Sequence, residues 1–185
     1  MAESSLEALL ARVALRDQTA YEALYKASTA KLFGFALRIL QRRDLAEDCL
    51  QDAFVSIWYR AGDYRPERAS AFTWMAAIVR NRALDMLRSA ASTHEIADGV
   101  ERDLPASDAA GAEDIAASAD DVRALKRCLD ALAPAQRQAI AAAYFRGLAH
   151  AELARSLREP LGTVKTWTRT ALGRLRSAVR MEAAQ

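Results

Sequence analysis

The chain has 185 residues, is 52% hydrophobic and carries 26 Lys/Arg against 24 Asp/Glu, so there is room for one ordinary domain or two small ones at a formal charge of +2. Only 7 glycines and 4 prolines, without regular alternation of β-branched residues, argue against a sheet. No apolar run approaches a membrane span, and Met1 to Leu15 holds Glu3, Glu7 and Arg12 in place of a signal-peptide core. Direct membrane insertion is therefore not expected, and the chain is expected to stay in the cytoplasm.

A short helix is expected at about Ser4 to Leu15. A long one follows from about Gln18 to Leu40, where Tyr21, Leu24, Tyr25, Ser28, Leu32, Phe35 and Ile39 recur at steps of three and four. Asp44 with Glu47 three residues on resembles a capping box, which opens a helix to about Arg60 that buries Cys49, Leu50, Ala53, Phe54 and Ile57. Gly62 to Pro66 breaks it. A third long helix, about Ala69 to Ser89, lines up Phe72, Met75, Ala76, Val79, Ala83 and Met86. Trp58 and Trp74, at helical spacing, are expected in the core.

From about Ala90 to Asp120 the periodicity dissolves into Ala, Ser, Asp and Glu with Gly99, Pro105 and Gly111, a composition that cannot offset its own ordering entropy. Charge divides the same way. Residues 1–90 hold 13 Lys/Arg against 11 Asp/Glu, residues 91–122 hold one against nine, and residues 123–185 hold 12 against four. The balance runs +2, −8, +8: a polyanion-binding module behind an acidic tether. The expected architecture is all-α, with two small helical domains at 1–90 and 122–185 joined by a flexible acidic linker at 91–121.

Helical character returns at about Val122 to Leu132. Pro134 suits the first turn of a helix to about Phe145, with Gly147 beyond its end. Two more follow, about His150 to Leu157 and about Gly162 to Val179. Leu153, Ala154 and Leu157 on the first, and Val164, Ala171, Leu172 and Leu175 on the second, form the inner faces of a helix-turn-helix across Pro160-Leu161-Gly162. The second helix then exposes Lys165, Thr166, Arg169 and Thr170 in its N-terminal half, where a recognition helix meets base edges. Arg174, Arg176 and Arg180 suit phosphate contacts.

No phosphate-cradling glycine loop, nucleophile elbow or metal-ligand spacing occurs, and His94 and His150 lack partners for a metal site. No cofactor and no small-molecule substrate are expected. Cys49 and Cys128 are expected to be structural thiols. An enzyme is disfavoured because no carboxylates, histidines or cysteines converge. A free-standing helix-turn-helix regulator with a helical sensor domain is the alternative to a polymerase subunit.

Specific strings carry a family resemblance. Leu132-Ala133-Pro134-Ala135-Gln136-Arg137-Gln138, Glu152-Leu153-Ala154 and Leu161-Gly162-Thr163-Val164-Lys165-Thr166 resemble region four of the extracytoplasmic-function (ECF) sigma factors. Asp44 to Phe54 resembles region two, as do Phe72-Thr73-Trp74-Met75 and Arg80 to Arg88. The resemblance implies a non-catalytic subunit that directs core RNA polymerase to promoters. By position, Asp48, Gln51, Asp52 and Val55 would face the β′ clamp helices. The loop Asp63 to Ser70, with Tyr64, Arg65 and Arg68, and then Arg80, Asn81 and Arg88, would meet the minus-ten element. Lys165, Thr166, Arg169, Thr170, Arg174 and Arg176 would read the minus-thirty-five element, beside the polymerase β flap.

Extruding a minus-ten base costs a few kcal/mol of stacking, which a fitted pocket recovers. Tyr64 is equally suited to stacking on that base and to packing within the loop. The resemblance also implies an anti-sigma factor as partner, one able to hold the chain at the inner membrane face, and a linker that threads toward the RNA path. For the linker, RNA mimicry and a loose soluble tether both fit the charge. The chain departs from the family pattern at Arg158-Glu159, at Trp167 and at Thr170. If Arg158 turns left-handed, it carries strain of about 1 kcal/mol.

Overall fold

The computed structural model describes residues 5–92, 126–127 and 129–182, with the side chains of 91–92 and 175–182 left out. Residues 93–121 of the expected linker, His94 and Cys128 lie outside the described residues, while residues 91–92, expected in the linker, are helical. Among those described, every regular element is helical. The chain divides into two units, Met1–Asp98 and Gly99–Gln185.

In the first unit, α1 (Leu6–Ala14) starts where the Ser5 hydroxyl accepts from the Ala8 N–H at 3.2 Å. It buries Leu9, Leu10 and Val13. Arg16 then adopts φ 66°, a left-handed turn that any Cβ-bearing residue pays for. The turn swings Asp17 into place as N-cap of α2 (Gln18–Leu40), where it accepts from the Ala20 N–H at 3.0 Å and from Arg12 at 2.7 Å. These two donors hold the Asp17 carboxyl below the usual aspartate range, the backbone bond most strongly.

α2 carries Leu24, Leu32, Phe35 and Ile39 into the core and ends at left-handed Gln41, whose N–H reaches the Leu37 carbonyl at 2.8 Å. α3 (Arg43–Arg60) buries Cys49, Leu50, Ala53, Phe54 and Ile57, as their spacing requires. The expected capping box is absent. Asp44 sits inside the helix, Arg42 holds the cap position without a side-chain bond, and the carboxylates are taken by Arg42–Asp44 and Arg43–Glu47 ion pairs. Two arginines beside the acids, one at i,i+4, outcompete the reciprocal cap.

A 3₁₀ turn (Ala61–Asp63) ends α3, and α4 (Ala71–Ser92) follows. α4 buries Phe72, Met75, Ala76, Val79 and Ala83, while Met86 is half-buried. α2 packs against α1, α3 and α4, and α3 against α4. The Cys49 thiol lies between α3 and α4, 3.6 Å from the Val79 carbonyl, and burial pushes its pKa up to about 12.

In the second unit, residues 126–127 and 129–130 are helical and the chain turns at buried Leu132. α5 (Pro134–Phe145) has Pro134 at its start, and Gln136 reaches back to the Ala133 N–H at 3.3 Å. α6 (His150–Leu157) repeats the device: Glu152 accepts from the Ala149 N–H at 2.7 Å. α6 ends at Arg158 with φ 54°, so the strained form of the turn is the one adopted. α7 (Leu161–Glu182) follows. Ala142, Leu153 and Val164 form the core joining α5, α6 and α7, with Ala143, Leu148 and Ala154 against it.

The side chain of Leu175 lies outside the described residues, and among those described one expected inward position on α7 differs. Leu172 was expected inside and is 48% exposed. The inward row is Val164, Thr168 and Ala171, at steps of four and three. Thr168 is 5% exposed, and its hydroxyl lies 3.0 Å from His150 Nε2 and 3.0 Å from the Val164 carbonyl. This hydroxyl fills the seam between α6 and α7, which leaves Leu172 at the edge.

Candidate polymerase and promoter interfaces

The four residues that the resemblance would put toward polymerase lie along α3. Asp48, Gln51, Asp52 and Val55 are all exposed, while Cys49, Leu50, Ala53 and Phe54 between them are buried. At 3.6 residues per turn, positions 48, 51, 52 and 55 form one stripe. Asp52 is engaged across the bundle: Arg82 of α4 donates to it through Nη2 at 2.6 Å and Nε at 2.8 Å. The sequence reading missed this pair because 30 residues separate its members.

The loop before α4 is internally braced. The Tyr64 hydroxyl donates to the Ala69 carbonyl at 3.1 Å, and its ring lies 5.9 Å from that of Trp74. Arg65 donates to the Gly62 and Tyr64 carbonyls at 2.8 and 2.9 Å, and Arg68 is exposed. Ser70 caps α4, with its hydroxyl 3.2 Å from the Thr73 N–H. Tyr64 thus shapes the loop as a packing residue whatever else its ring does. Trp58 and Trp74 are half-buried, Trp58 edge-on to Tyr21 at 5.1 Å. Along α4, Arg80 is half-buried, Asn81 and Arg88 are exposed, and Arg88 pairs with Asp85 at 2.9 Å.

On α7, Lys165, Thr166, Arg169, Thr170 and Arg174 are exposed on the outer face, opposite Val164, Thr168 and Ala171. The Thr166 hydroxyl donates to the Gly162 carbonyl at 2.9 Å, which leaves its oxygen lone pairs outward. Trp167 is half-buried. The side chains of Arg176 and Arg180 lie outside the described residues. Among the described residues no group of three or more His, Cys, Asp or Glu is placed to hold a metal, and no helix is long and apolar enough to cross a membrane.

The sigma-70 region 2 family matches residues 24–93, and the sigma-70 region 4 family matches residues 128–177. The ECF RNA polymerase sigma factor SigK of Mycobacterium tuberculosis is 34% identical over 178 residues, covering 95% of this chain and 94% of its own.

This chain belongs to the ECF sigma factor family. A second relative, SigK of Mycolicibacterium vanbaalenii, is 35% identical over 95% of this chain and 90% of its own length. Among solved structures, SigE of Rhodobacter sphaeroides, in complex with the anti-sigma ChrR, is 30% identical over 96% of this chain and 99% of its own, with a TM-score of 0.49.

As a sigma factor, the chain has region 2 in α2 to α4 and region 4 in α5 to α7. The strings that carried the resemblance have local physical roles here. Gln136 and Glu152 each satisfy the backbone N–H at a helix start, and Asp48 and Gln51 stand clear of the core.

Proposed function

We propose that this ECF sigma factor binds core RNA polymerase, recognises minus-thirty-five and minus-ten promoter elements and assists promoter melting. The proposed division is residues 1–90 for polymerase and the minus-ten element, 91–121 as an acidic connection, and 122–185 for the minus-thirty-five element. Asp48, Gln51, Asp52 and Val55 meet the β′ clamp helices. Tyr64, Arg65, Arg68, Arg80, Asn81 and Arg88 meet minus-ten DNA. Lys165, Thr166, Arg169, Thr170, Arg174 and Arg176 meet minus-thirty-five DNA, and the same unit meets the β flap.

The observation that carries this reading is the outward stripe of Asp48, Gln51, Asp52 and Val55 on a helix that matches region 2. The Asp48 and Asp52 carboxylates repel DNA and, with Gln51 and Val55, suit a basic protein helix, whereas α7 presents cations and hydroxyls to a groove. On this reading the protein has no reaction or cofactor of its own. It works in the cytoplasm under an anti-sigma factor able to hold it at the inner membrane face.

The test is association with purified core polymerase. Asp48→Ala/Gln51→Ala weakens it, while Lys165→Ala/Arg169→Ala leaves it intact and abolishes minus-thirty-five recognition. A protein that binds promoter duplex yet ignores core polymerase would instead be a free-standing regulator.

A further inference from the structure

Six large hydrophobic residues are exposed among the described residues, and four of them lie in the first unit: Leu15, Tyr25, Val55 and Tyr59. Chain position and contacts tie these four to the C-terminal half of α3. Tyr59 follows Val55 by one turn and falls on the same stripe as Asp48 and Asp52. Tyr25 of α2 packs its ring 4.5 Å from that of Phe54, beside Val55 in the chain.

Arg16 ties in the last corner. Its guanidinium lies 5.5 Å from the Trp58 ring and 5.5 Å from the Tyr59 ring, and Nη1 donates to the Trp58 carbonyl at 2.8 Å. That bond satisfies a carbonyl in the last turn of α3 and places a cation at the negative end of the helix. Leu15, the neighbour of Arg16, is 83% exposed, and Tyr59 is 68% exposed. A left-handed turn thus leaves a leucine in water next to the arginine that contacts Tyr59. An aromatic and aliphatic cluster of this kind on a small helical unit marks a contact surface.

We propose that the polymerase-docking face continues past Val55 onto Tyr59, Leu15 and Tyr25, and takes an amphipathic helix of core polymerase along its length. This rests on the polymerase reading above. Continuity decides the occupant, because Val55 belongs both to the docking stripe and to the apolar patch. Charge decides its direction: the basic residues of the helix meet Asp48 and Gln51, and its apolar face covers Tyr59 and Leu15. Arg16 is a positioning residue that fixes the Tyr59 ring from behind.

The experiment uses the full chain with Tyr59→Ser/Leu15→Ser, both exposed and hence compatible with folding, checked by thermal melting. Binding is titrated against purified core polymerase and, separately, against a single-stranded minus-ten oligonucleotide. The double variant is expected to weaken core binding about 30-fold, the size of a hot-spot truncation, and to leave oligonucleotide binding unchanged. Unchanged core binding by this variant, while Asp48→Ala/Gln51→Ala loses it, overturns the extension and spares the polymerase reading. If neither variant loses binding, that reading itself fails. A dimer of the free protein that Tyr59→Ser/Leu15→Ser dissolves in sedimentation, with core binding unchanged, assigns the patch to a second copy and also overturns the proposal.

Discussion

Arg82 of α4 donates two hydrogen bonds to a single oxygen of Asp52 on α3, at 2.6 and 2.8 Å. The helix proposed to dock polymerase is thereby joined to the helix proposed to lie on melted DNA. Both side chains are about half exposed, 45% for Arg82 and 51% for Asp52, so solvent screening keeps the pair below about 1 kcal/mol of stability.

Its consequence lies in docking. Asp52 already has a cation, whereas Asp48 stands exposed one turn away. Asp48→Ala is expected to weaken core polymerase binding about tenfold, and Asp52→Ala about threefold. Competition titrations with labelled protein give the order, and the reverse order would count against Asp48 as the leading contact.

Arg158 closes α6 in a left-handed conformation at φ 54° with its N–H on the Ala154 and Arg155 carbonyls. Glycine adopts this geometry without a Cβ clash. Arg158→Gly is therefore expected to stabilise the helix-turn-helix by about 0.5–1 kcal/mol, the relieved strain less the added chain entropy. Denaturant unfolding of residues that report on the second unit measures it. A loss of stability would mean that the Arg158 side chain holds the turn.

Thr168 joins α6 to α7 through His150, and its burial leaves no route to base edges. Thr168→Val keeps the shape and removes the hydroxyl, so the second unit is expected to lose about 1 kcal/mol. Minus-thirty-five affinity should fall uniformly across promoter sequences, because α7 is loosened without losing a base contact. Binding to a panel of single-base variants separates this from Lys165→Ala, which should alter the ranking.

The Cys49 thiol, raised to about 12 by burial, stays protonated at physiological pH. Iodoacetamide at pH 8 is expected to leave the Cys49 peptide unmodified in the native protein and to label it after unfolding, as read by peptide mass mapping. The sign for stability follows: above the ordinary thiol range the unfolded chain ionises while the folded one does not, so stability falls as pH rises from about 9. Asp17 runs the other way. Its carboxyl is lowered by the Ala20 N–H and Arg12, so the advantage of the native protein over Asp17→Ala is full above the aspartate range. It shrinks as pH falls through the depressed value.

Much of this arrangement was legible in the sequence, and what was not has physical causes. The period of Leu24, Leu32 and Phe35 places α2, and Pro134 and Gly147 bracket α5, because burial and backbone preference act locally. Asp44 misled because its capping role depends on whether Arg42 and Arg43 claim the acids, a competition that spacing does not reveal. Thr168 carried no expectation from the sequence, since its burial depends on a bond to His150, 18 residues away. Asp52–Arg82 and Arg16–Trp58 are likewise contacts across 30 and 42 residues.

The central claim is that this chain gives polymerase its promoters. Transcription reconstituted from purified core RNA polymerase and this protein on genomic DNA, with the transcripts sequenced, tests it most directly. The account predicts discrete start sites that share one minus-thirty-five and one minus-ten sequence, absent with core alone and lost with Asp48→Ala/Gln51→Ala. Start sites indistinguishable from those of core alone would contradict it.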